Sequence, residues 1–363
     1  MKNFSRKEIE IKDLKHIYDR TKKESNLNDS VILVTGCAGF LGYYIMKYFA
    51  SYHSLLGIKK IIALDSFIIG AIPKWLKEIK DGNPKLFSIN KFELGKDKIS
   101  ELEDHQKVTH ILHMASIASP TFYRKFPLET IDANIWGLRD LLDVYKNSNN
   151  LMGFIFFSSS EIYGDPDKDN IPTNENYRGY VSCTGPRACY DESKRFGETL
   201  SIVFREKYSL PISIVRPFNN YGPGMKVEDK RLPADLAKCI LSNNDIYIFS
   251  DGSPTRTFCY VADAIIGFLK VLFFKNNSEF NIGMDKPETS VIQIAEIYKE
   301  IGKLKYGYSG EIIKIINKDP NYLKDNPNRR QPDINKAKKL LNFNPTIDLK
   351  KGVSSYLDFL QDK

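Results

Sequence analysis

The stretch Val31-Ile-Leu-Val-Thr-Gly-Cys-Ala-Gly-Phe-Leu-Gly42 is an apolar run that ends in three glycines. The run is typical of a buried strand, and Gly36, Gly39 and Gly42 stand where such a strand would pass into a helix. The first glycine permits a tight turn, the second lets a phosphate approach the backbone, and the third lets helix and strand pack closely. Because the helix N-terminus would then face a pyrophosphate, the stretch predicts a dinucleotide site.

An acidic residue follows the next apolar run at the spacing that such a site requires. Residues 61–64 end in Asp65, about 20 residues after the last glycine. An acid there binds the adenosine ribose hydroxyls and repels a 2′-phosphate, so we expect NAD rather than NADP. Phe40 and Leu41, between the second and third glycines, are also expected to contact the cofactor, as are Tyr190 and Lys194 further along the chain. The alternative is a glycine-rich turn followed by a surface aspartate.

From Ser30 onward, short apolar or β-branched runs alternate with helical segments. This alternation implies parallel strands joined by crossover helices, hence an α/β, Rossmann-type doubly wound sheet. Beyond Gly222 the strands become shorter, which suits a smaller C-terminal lobe that covers the substrate. We therefore predict an NAD-binding domain over residues 30–218 and a mainly substrate-binding lobe over residues 219–363, interleaved with it. The predicted strands are residues 31–35, 61–64, 110–113, 154–158 and 212–215.

Residues 1–29 differ from the rest of the chain in their density of charge. Ile11, Leu14, Ile17 and Tyr18 recur at helical spacing, which predicts an amphipathic helical extension. Because its apolar stripe is narrow, the helix is expected to lie on its own domain or on a second subunit rather than on a membrane or a partner.

Composition and charge exclude several classes of protein. The 363 residues are 42% hydrophobic and carry a net charge of +8, yet the lysines are spread along the chain without a basic run interleaved with aromatics. Nucleic-acid binding is therefore not expected. No stretch approaches the roughly 18 apolar residues of a membrane span, and the chain begins with charge instead of an apolar signal core. We expect no membrane contact and a cytoplasmic location.

The cysteines and histidines show neither a disulfide framework nor a metal site. The five cysteines are scattered and never form C-x-x-C, so they are expected to be reduced thiols. The five histidines have no metal-ligand spacing, and we expect no bound metal.

Tyr190-Asp-Glu-Ser-Lys194 places a phenol and an amine one helical turn apart on the same face. A nearby ammonium and the nicotinamide charge would lower the pKa of the tyrosine, so that its phenolate can take a proton from a sugar hydroxyl as hydride leaves the carbon. Such spacing is also common on solvated helix faces. Here it follows the serine-rich strand end 157–161, where Ser159 can bond the reacting hydroxyl and Glu161 can act as an acid, a base or a fixed charge.

Seven segments together resemble one family. The chain is similar to the extended short-chain dehydrogenase/reductases of the NAD-dependent epimerase/dehydratase family, and within them to UDP-glucuronate decarboxylases, also called UDP-xylose synthases. The resemblance runs from residue 31 to about residue 350 and leaves out the N-terminal helix. The matching segments are TGCAGFLG at 35–42, ASIASPTFY at 115–123, SSSEIYGDP at 158–166, GPRACYDESKRFGETL at 185–200, RPFNNYGPGM at 216–225, DGSPTRTFCYVAD at 251–263 and RRQPDI at 329–334.

The resemblance implies a catalytic set of Ser159, Tyr190 and Lys194, with Ser159 where the family usually has threonine. It implies that Glu161 and Arg330 act in decarboxylation. Without it, Arg330 would be a solvated loop charge, which is the default for arginine.

The resemblance also implies a set of substrate contacts. Forked guanidinium groups suit a diphosphate, and the tyrosine lies on the sugar side. The implied substrate-binding residues are Tyr123, Ser160, Asn219, Arg231, Arg256 and Arg330.

Three segments depart from the family pattern. Residues 89–92 read Ile-Asn-Lys-Phe where the family has an H-D-V-like segment that binds adenine, so the adenine contact is altered. Residues 117–120 read I-A-S-P instead of P-A-S-P, and residues 330–332 read R-Q-P instead of R-K-P. These departures leave the exact sugar open.

The resemblance implies NAD-dependent oxidation at C4 of a nucleotide sugar, followed by decarboxylation of UDP-glucuronate to a UDP-pentose. The alternatives are a 4,6-dehydratase, a 4-epimerase, or a non-catalytic NAD-binding scaffold on the same fold. Dehydratases acting on dTDP-glucose generally need Asp-Glu where this chain has Ser160-Glu161. The family usually pairs subunits through two helices each, one carrying the tyrosine segment, so we expect a homodimer.

Overall fold

The computed structural model describes residues 3–315 and 324–362. Its α-helices are α1 (Arg6–Thr21), α2 (Phe40–Leu56), α3 (Lys74–Gly82), α4 (Pro120–Lys125), α5 (Pro127–Ile131), α6 (Gly137–Tyr145), α7 (Ala188–Tyr208), α8 (Leu232–Leu241), α9 (Val261–Phe273), α10 (Val291–Tyr306), α11 (Asn335–Leu341) and α12 (Leu349–Gln361). Its strands are β1 (Ser30–Thr35), β2 (Ile58–Asp65), β3 (Phe87–Lys91), β4 (His110–His113), β5 (Gly153–Phe157), β6 (Ile212–Pro217), β7 (Asn220–Tyr221), β8 (Ile246–Ile248), β9 (Thr255–Arg256), β10 (Cys259–Tyr260), β11 (Glu279–Ile282), β12 (Thr289–Ser290), β13 (Ile312–Lys314) and β14 (Arg329–Arg330).

The centre of the fold is a seven-stranded sheet in the order β11-β6-β5-β4-β1-β2-β3. Every neighbouring pair in it is parallel. Strands such as β1 and β5 are buried along their whole length, as expected where helices cover both faces. The doubly wound α/β fold is confirmed, and the carboxyl ends of its strands meet at one edge where a ligand can bind.

Two strands of this sheet were not predicted, namely β3 and β11, which form its two edges. Both contain polar residues, as in the sequence Phe-Ser-Ile-Asn-Lys of β3. An edge strand is less enclosed than a central one, so its sequence need not be continuously apolar. Continuous apolar runs therefore do not identify β3 and β11.

Residues beyond 219 contribute several short strands. They form a three-stranded sheet in the order β12-β9-β14 and a pair β13-β8. From the same part of the chain, β11 joins the central sheet beside β6, and α9 packs against β5, β6 and β11. Residues on both sides of the predicted boundary thus contribute to the central sheet, and the division into two domains stays a prediction.

The N-terminal helix α1 packs on α2, α9 and α12 of its own chain. The burial pattern differs from the predicted stripe, because Ile11 is 57% exposed while Asp13 is buried. The carboxylate of Asp13 accepts hydrogen bonds from the hydroxyls of Tyr44 and Tyr260, at 2.7 and 2.6 Å. Asp13 is buried because its carboxylate is satisfied by two buried hydroxyl donors. The spacing of apolar residues along α1 does not indicate this.

Two further findings concern the molecule as a whole. The five cysteines are all free thiols. Among the helices of residues 3–315 and 324–362, none combines the length and the apolar character needed to cross a bilayer.

Candidate functional site

The turn between β1 and α2 forms a backbone cradle that only glycine can build. Gly36 has φ +73°, and a Cβ there would lie 2.8 Å from the backbone of Ala115. A Cβ on Gly42 would lie 2.4 Å from the carbonyl oxygen of Cys37. The N-terminus of α2, beginning at Phe40, therefore stands open above the sheet edge, and the turn fits a pyrophosphate.

A cleft of about 340 Å³ runs along this edge of the sheet. Of the predicted cofactor residues, Gly36, Gly39, Phe40, Leu41, Gly42 and Asp65 line it, whereas Tyr190 and Lys194 are not among its lining residues. The carboxylate of Asp65 accepts hydrogen bonds from the backbone N–H groups of Ala38 and Phe67, both at 2.9 Å. Burial raises the pKa of Asp65, while these two bonds favour its charged form.

Residues 89–92, one of the three segments that depart from the family pattern, reach the same cleft. Phe92, which follows β3, lines the cleft and is buried. The amide of Asn90 bonds the backbone carbonyl and the hydroxyl of Ser88. The altered segment therefore contributes an aromatic ring to the cleft.

Tyr190 and Lys194 lie on one face of α7, both buried. Lys194 Nζ donates to the carbonyl of Phe157 at 2.7 Å and lies 5.9 Å from the centroid of the Tyr190 ring. Tyr190 shares a hydrogen bond with Ser159, and its ring stacks on Tyr123 with centroids 5.2 Å apart. The predicted serine, tyrosine and lysine are thus brought together at the end of β5.

Burial dominates the electrostatics of this pair. Burial raises the pKa of Tyr190 to about 12, against the opposing effect of the Ser159 hydrogen bond. Burial also lowers the pKa of Lys194 to about 7, against the opposing charge of Glu198. Desolvation therefore dominates the pKa of both groups in the protein without cofactor, and the lowering expected from the ammonium together with the nicotinamide charge stays a prediction.

Glu161 and Arg330, 169 residues apart in sequence, form a buried bidentate ion pair. Arg330 Nη2 donates to Glu161 Oε2 at 2.7 Å, and Nη1 donates to Oε1. Arg330 is only 5% exposed, so the alternative of a solvated loop charge is excluded.

Arg187, which the sequence reasoning missed, is a second guanidinium on the same carboxylate. It donates through Nη2 to Glu161 and through Nε to Asp191, the latter at 3.3 Å. Burial would raise the pKa of Glu161, but Arg187 and Arg330 outweigh it and hold that pKa well below its usual range. Burial and the charge of Glu161 raise the pKa of Asp191. An arginine three residues before Tyr190 was the available signal, since that spacing shares a helical face.

The predicted substrate residues of the smaller lobe lie next to this cluster. Arg256 pairs with Arg330 across β9 and β14 and donates to the carbonyl of Pro327 at 2.6 Å. Burial, with the charge of Arg330, lowers the pKa of Arg256 to about 9. Asn219 donates to the carbonyl of Thr257 at 3.0 Å, beside Arg256.

The remaining predicted substrate residues connect this cluster with the cofactor cleft. Arg231 lines the cleft, pairs with Asp229, and lies 5.5 Å from the centroid of the Phe40 ring. The hydroxyl of Tyr123 is buried and has no hydrogen-bond partner among the described residues. Ser160 is buried in the 3₁₀ turn that carries Glu161. Within the described part of the chain, no group of three or more His, Cys, Asp or Glu side chains is placed to hold a metal ion.

The glycine cradle, the cleft and the buried Tyr190–Lys194 pair define a dinucleotide-binding α/β protein with a polar site at the edge of its sheet. The model of the NAD dependent epimerase/dehydratase family matches residues 32–283, and the chain belongs to that family of enzymes. The cofactor of the family is NAD, which the cradle fits.

Named relatives cover most of the chain. UDP-glucuronic acid decarboxylase 6 of Arabidopsis thaliana is 32% identical over 325 residues, which are 89% of this chain and 86% of that protein. UDP-glucuronic acid decarboxylase 1 of Xenopus tropicalis is 30% identical over 347 residues, which are 95% of this chain and 75% of that protein.

Solved structures share the fold. UDP-glucuronic acid 4-epimerase from Bacillus cereus, in complex with UDP-glucuronic acid and NAD, matches with a TM-score of 0.73 and 27% identity over 91% of this chain and 98% of that one. DesIV, a dTDP-glucose 4,6-dehydratase from Streptomyces venezuelae, matches with a TM-score of 0.77 over 91% and 96% of the two chains, but at 20% identity it shows the fold alone.

Proposed function

We propose that this chain oxidises UDP-glucuronate at C4 with NAD and then decarboxylates it to a UDP-pentose. The observation that carries the proposal is the buried ion pair of Glu161 and Arg330 near Tyr190. The relatives named as UDP-glucuronic acid decarboxylases support the choice of substrate.

In the first step, the phenolate of Tyr190 takes the proton of the C4 hydroxyl. Ser159, which already bonds Tyr190, orients that hydroxyl. The phenolate, once formed, favours the protonated form of the nearby Lys194 against the effect of burial, so that Lys194 becomes its cationic partner. The glycine cradle would hold NAD, which would supply the hydride acceptor for C4 and a positive charge that would offset the raised pKa of Tyr190.

In the second step, the 4-keto acid loses its carboxylate. The C5–C6 bond breaks, its electron pair enters the enolate that reaches O4, and CO₂ leaves. C5 then takes a proton from solvent, C4 takes back the hydride, and O4 recovers the proton held by Tyr190. In this proposal Arg330 and Arg187 stabilise negative charge at the site, and their buried ion pairs support it, because fixed guanidinium groups in a buried site need little reorganisation.

The bonding of Glu161 disfavours a 4,6-dehydratase. In that reaction Glu161 would have to act as the base that removes the C5 proton. Here both of its oxygens accept from guanidinium groups and its pKa is held low, which makes it a fixed charge and a weak base.

For the substrate we propose that Asn219, Arg231 and Arg256 hold the nucleotide and diphosphate, and that Tyr123 and Ser160 face the sugar. Arginine forks suit a diphosphate, and the unpartnered hydroxyl of Tyr123 is free within the described residues to meet a sugar hydroxyl. We further propose that the enzyme works in the cytoplasm, where its free thiols stay reduced.

We also propose a homodimer formed through α5, α7 and the π-helical turn Asp132–Trp136. Leu128 and Trp136 are 70% and 60% exposed on one side of this surface. Phe196 and Val203, seven residues apart on α7, are 48% and 49% exposed on the other. A second copy of this chain would cover them, as the pairing usual in the family requires.

The test is to incubate the purified protein and NAD with UDP-glucuronate, UDP-glucose, dTDP-glucose and GDP-mannose in turn. The molecular masses of the products are then measured by mass spectrometry. We expect UDP-glucuronate to lose the mass of CO₂. Loss of water from a hexose would indicate a dehydratase, and a product of unchanged mass would indicate an epimerase. No release of CO₂ from UDP-glucuronate would overturn the proposal.

A further inference from the structure

The side-chain amide of Asn281 lies between the two segments that carry the Glu161–Arg330 pair. Asn281 is on β11 of the central sheet and is fully buried. Its Oδ1 accepts a hydrogen bond from the hydroxyl of Tyr163 at 2.7 Å. Tyr163 ends the 3₁₀ turn Ser160–Tyr163, which also carries Glu161. One end of the amide is thus attached to the glutamate turn.

The other end of the amide is attached to the arginine segment. Asn281 Nδ2 donates to the carbonyls of Thr173 and Asp333, at 2.9 and 3.1 Å. Asp333 is three residues beyond Arg330. Thr173 also bonds this segment through its backbone, donating to the carbonyl of Gln331 and accepting from the N–H of Asp333, both at 2.8 Å. The amide is therefore a single group through which the two segments are joined.

A buried network fixes the tyrosine that the amide contacts. The hydroxyl of Tyr163 accepts from Arg216 Nη1 at 2.7 Å, and Arg216 binds both oxygens of Glu198, at 2.8 and 2.6 Å. Glu198 also accepts from the hydroxyl of Ser158 at 2.5 Å, at the end of β5. In a buried network of satisfied polar groups, each member restrains the next.

We infer that Asn281 is a positioning residue for the decarboxylation step, holding Arg330 against Glu161 by joining their two segments. The inference rests on the proposed function, because it assigns Asn281 to the step that Glu161 and Arg330 serve. A displacement of about 1 Å in a catalytic group can cost about a hundredfold in rate, so loss of this link is expected to slow CO₂ release while NAD still binds.

A purely structural role of Asn281 would also make its variants less stable, so coupling to Arg330 has to be measured. The single variants are Asn281→Leu, Tyr163→Phe and Arg330→Met. The two double variants combine Arg330→Met with Asn281→Leu and with Tyr163→Phe. Tyr163→Phe removes one hydroxyl and keeps the ring, which provides a test if Asn281→Leu fails to fold. The matched control is Tyr145→Phe on α6, a buried tyrosine whose hydroxyl donates one bond to the carbonyl of His105 at 3.0 Å.

Single-turnover CO₂ release from UDP-glucuronate and calorimetric NAD affinity are measured for each protein. We expect Asn281→Leu and Tyr163→Phe to slow release by about tenfold to a hundredfold, with NAD affinity nearly unchanged. In the Arg330→Met background neither change should slow it further, because an arginine that is absent cannot be misplaced. Tyr145→Phe should have no effect in either background.

Equal slowing in the presence and absence of Arg330 would overturn the inference while leaving the proposed function intact. A parent protein that releases no CO₂ overturns the proposed function instead. In that case the same set of variants is measured on whichever nucleotide-sugar product the parent forms, and coupling of Asn281 to Arg330 is again the expected result.

Discussion

Tyr190 is buried among groups that leave its phenol protonated, since its pKa is raised to about 12. We expect Tyr190→Phe to slow NADH formation on mixing with UDP-glucuronate by about a hundredfold or more, because the proton acceptor is lost. Binding of the nucleotide sugar should hardly change, since the ring still stacks on Tyr123. Stopped-flow absorbance and titration calorimetry measure the two effects. As a control, Tyr298→Phe removes a hydroxyl from another fully buried tyrosine. If Tyr190→Phe forms NADH as fast as the parent, a group other than Tyr190 is the base.

Glu161 provides a second prediction, from the direction of its pKa. A folded-state pKa held well below the usual range means that the carboxylate stays ionised at all pH values above it, and that its stabilising pairs are lost only as pH falls through that low value. Because burial and the charge of Glu161 raise the pKa of Asp191, the comparison is made in an Asp191→Asn background. There we expect Glu161→Gln to lower the rate of CO₂ release by a similar factor at every pH from 5 to 8. A change of rate with pH in this range that is present in the Asp191→Asn protein and absent once Glu161→Gln is added would show that Glu161 titrates during catalysis.

At the scale of elements, α1 carries two aspartates with opposite behaviour. Burial raises the pKa of Asp13 to about 6, whereas the ammonium groups of Lys15 and Lys22 lower that of the exposed Asp19 to about 2. A raised folded-state pKa means that stability falls as pH rises from about 4 to about 6, because the buried group must then ionise.

We compare the free energy of unfolding of Asp13→Asn with that of the parent. The difference should shift in favour of the variant between pH 4 and pH 7, by up to about 3 kcal/mol for two units of pKa. Asn can still accept from the hydroxyls of Tyr44 and Tyr260. Asp19→Asn is the matched control, because Asp19 is already ionised over this range and its effect should not vary with pH. Urea unfolding at several pH values measures both. If the free energy of unfolding varies with pH in the same way for Asp13→Asn and Asp19→Asn, the raised pKa of Asp13 is contradicted.

At the scale of the whole molecule, the exposed apolar surface on α5, α7 and the π-helical turn favours a dimer. We expect the parent to be dimeric at micromolar concentration and Trp136→Arg to be monomeric, because a buried unpaired charge at a subunit contact is strongly unfavourable. Light scattering after size-exclusion chromatography measures both. Leu55→Arg is the control, since Leu55 is 68% exposed on α2, which is not one of the elements of this surface. A monomeric parent, or a dimeric Trp136→Arg protein, would contradict the proposed dimer surface.

The sequence by itself determined the central strands of the fold, the glycine cradle and the Tyr190–Lys194 pair. These features are local: continuous apolar runs identify strands buried on both faces, the cradle lies within 12 consecutive residues, and the pair lies within one helical turn. The edge strands β3 and β11 have no such local signal, because their sequences mix polar and apolar residues.

Only the tertiary structure decided which groups act on Glu161. Arg330 reaches it from 169 residues away, and Arg187 meets it at the start of α7. The same holds for Asp13, whose burial depends on hydroxyls from α2 and from β10. Sequence spacing describes neighbours on one element, whereas these ion pairs and hydrogen bonds arise from packing between elements. Packing is also what desolvates Tyr190 and Lys194 and moves their pKa values, so the electrostatics of the site could be known only once the chain was folded.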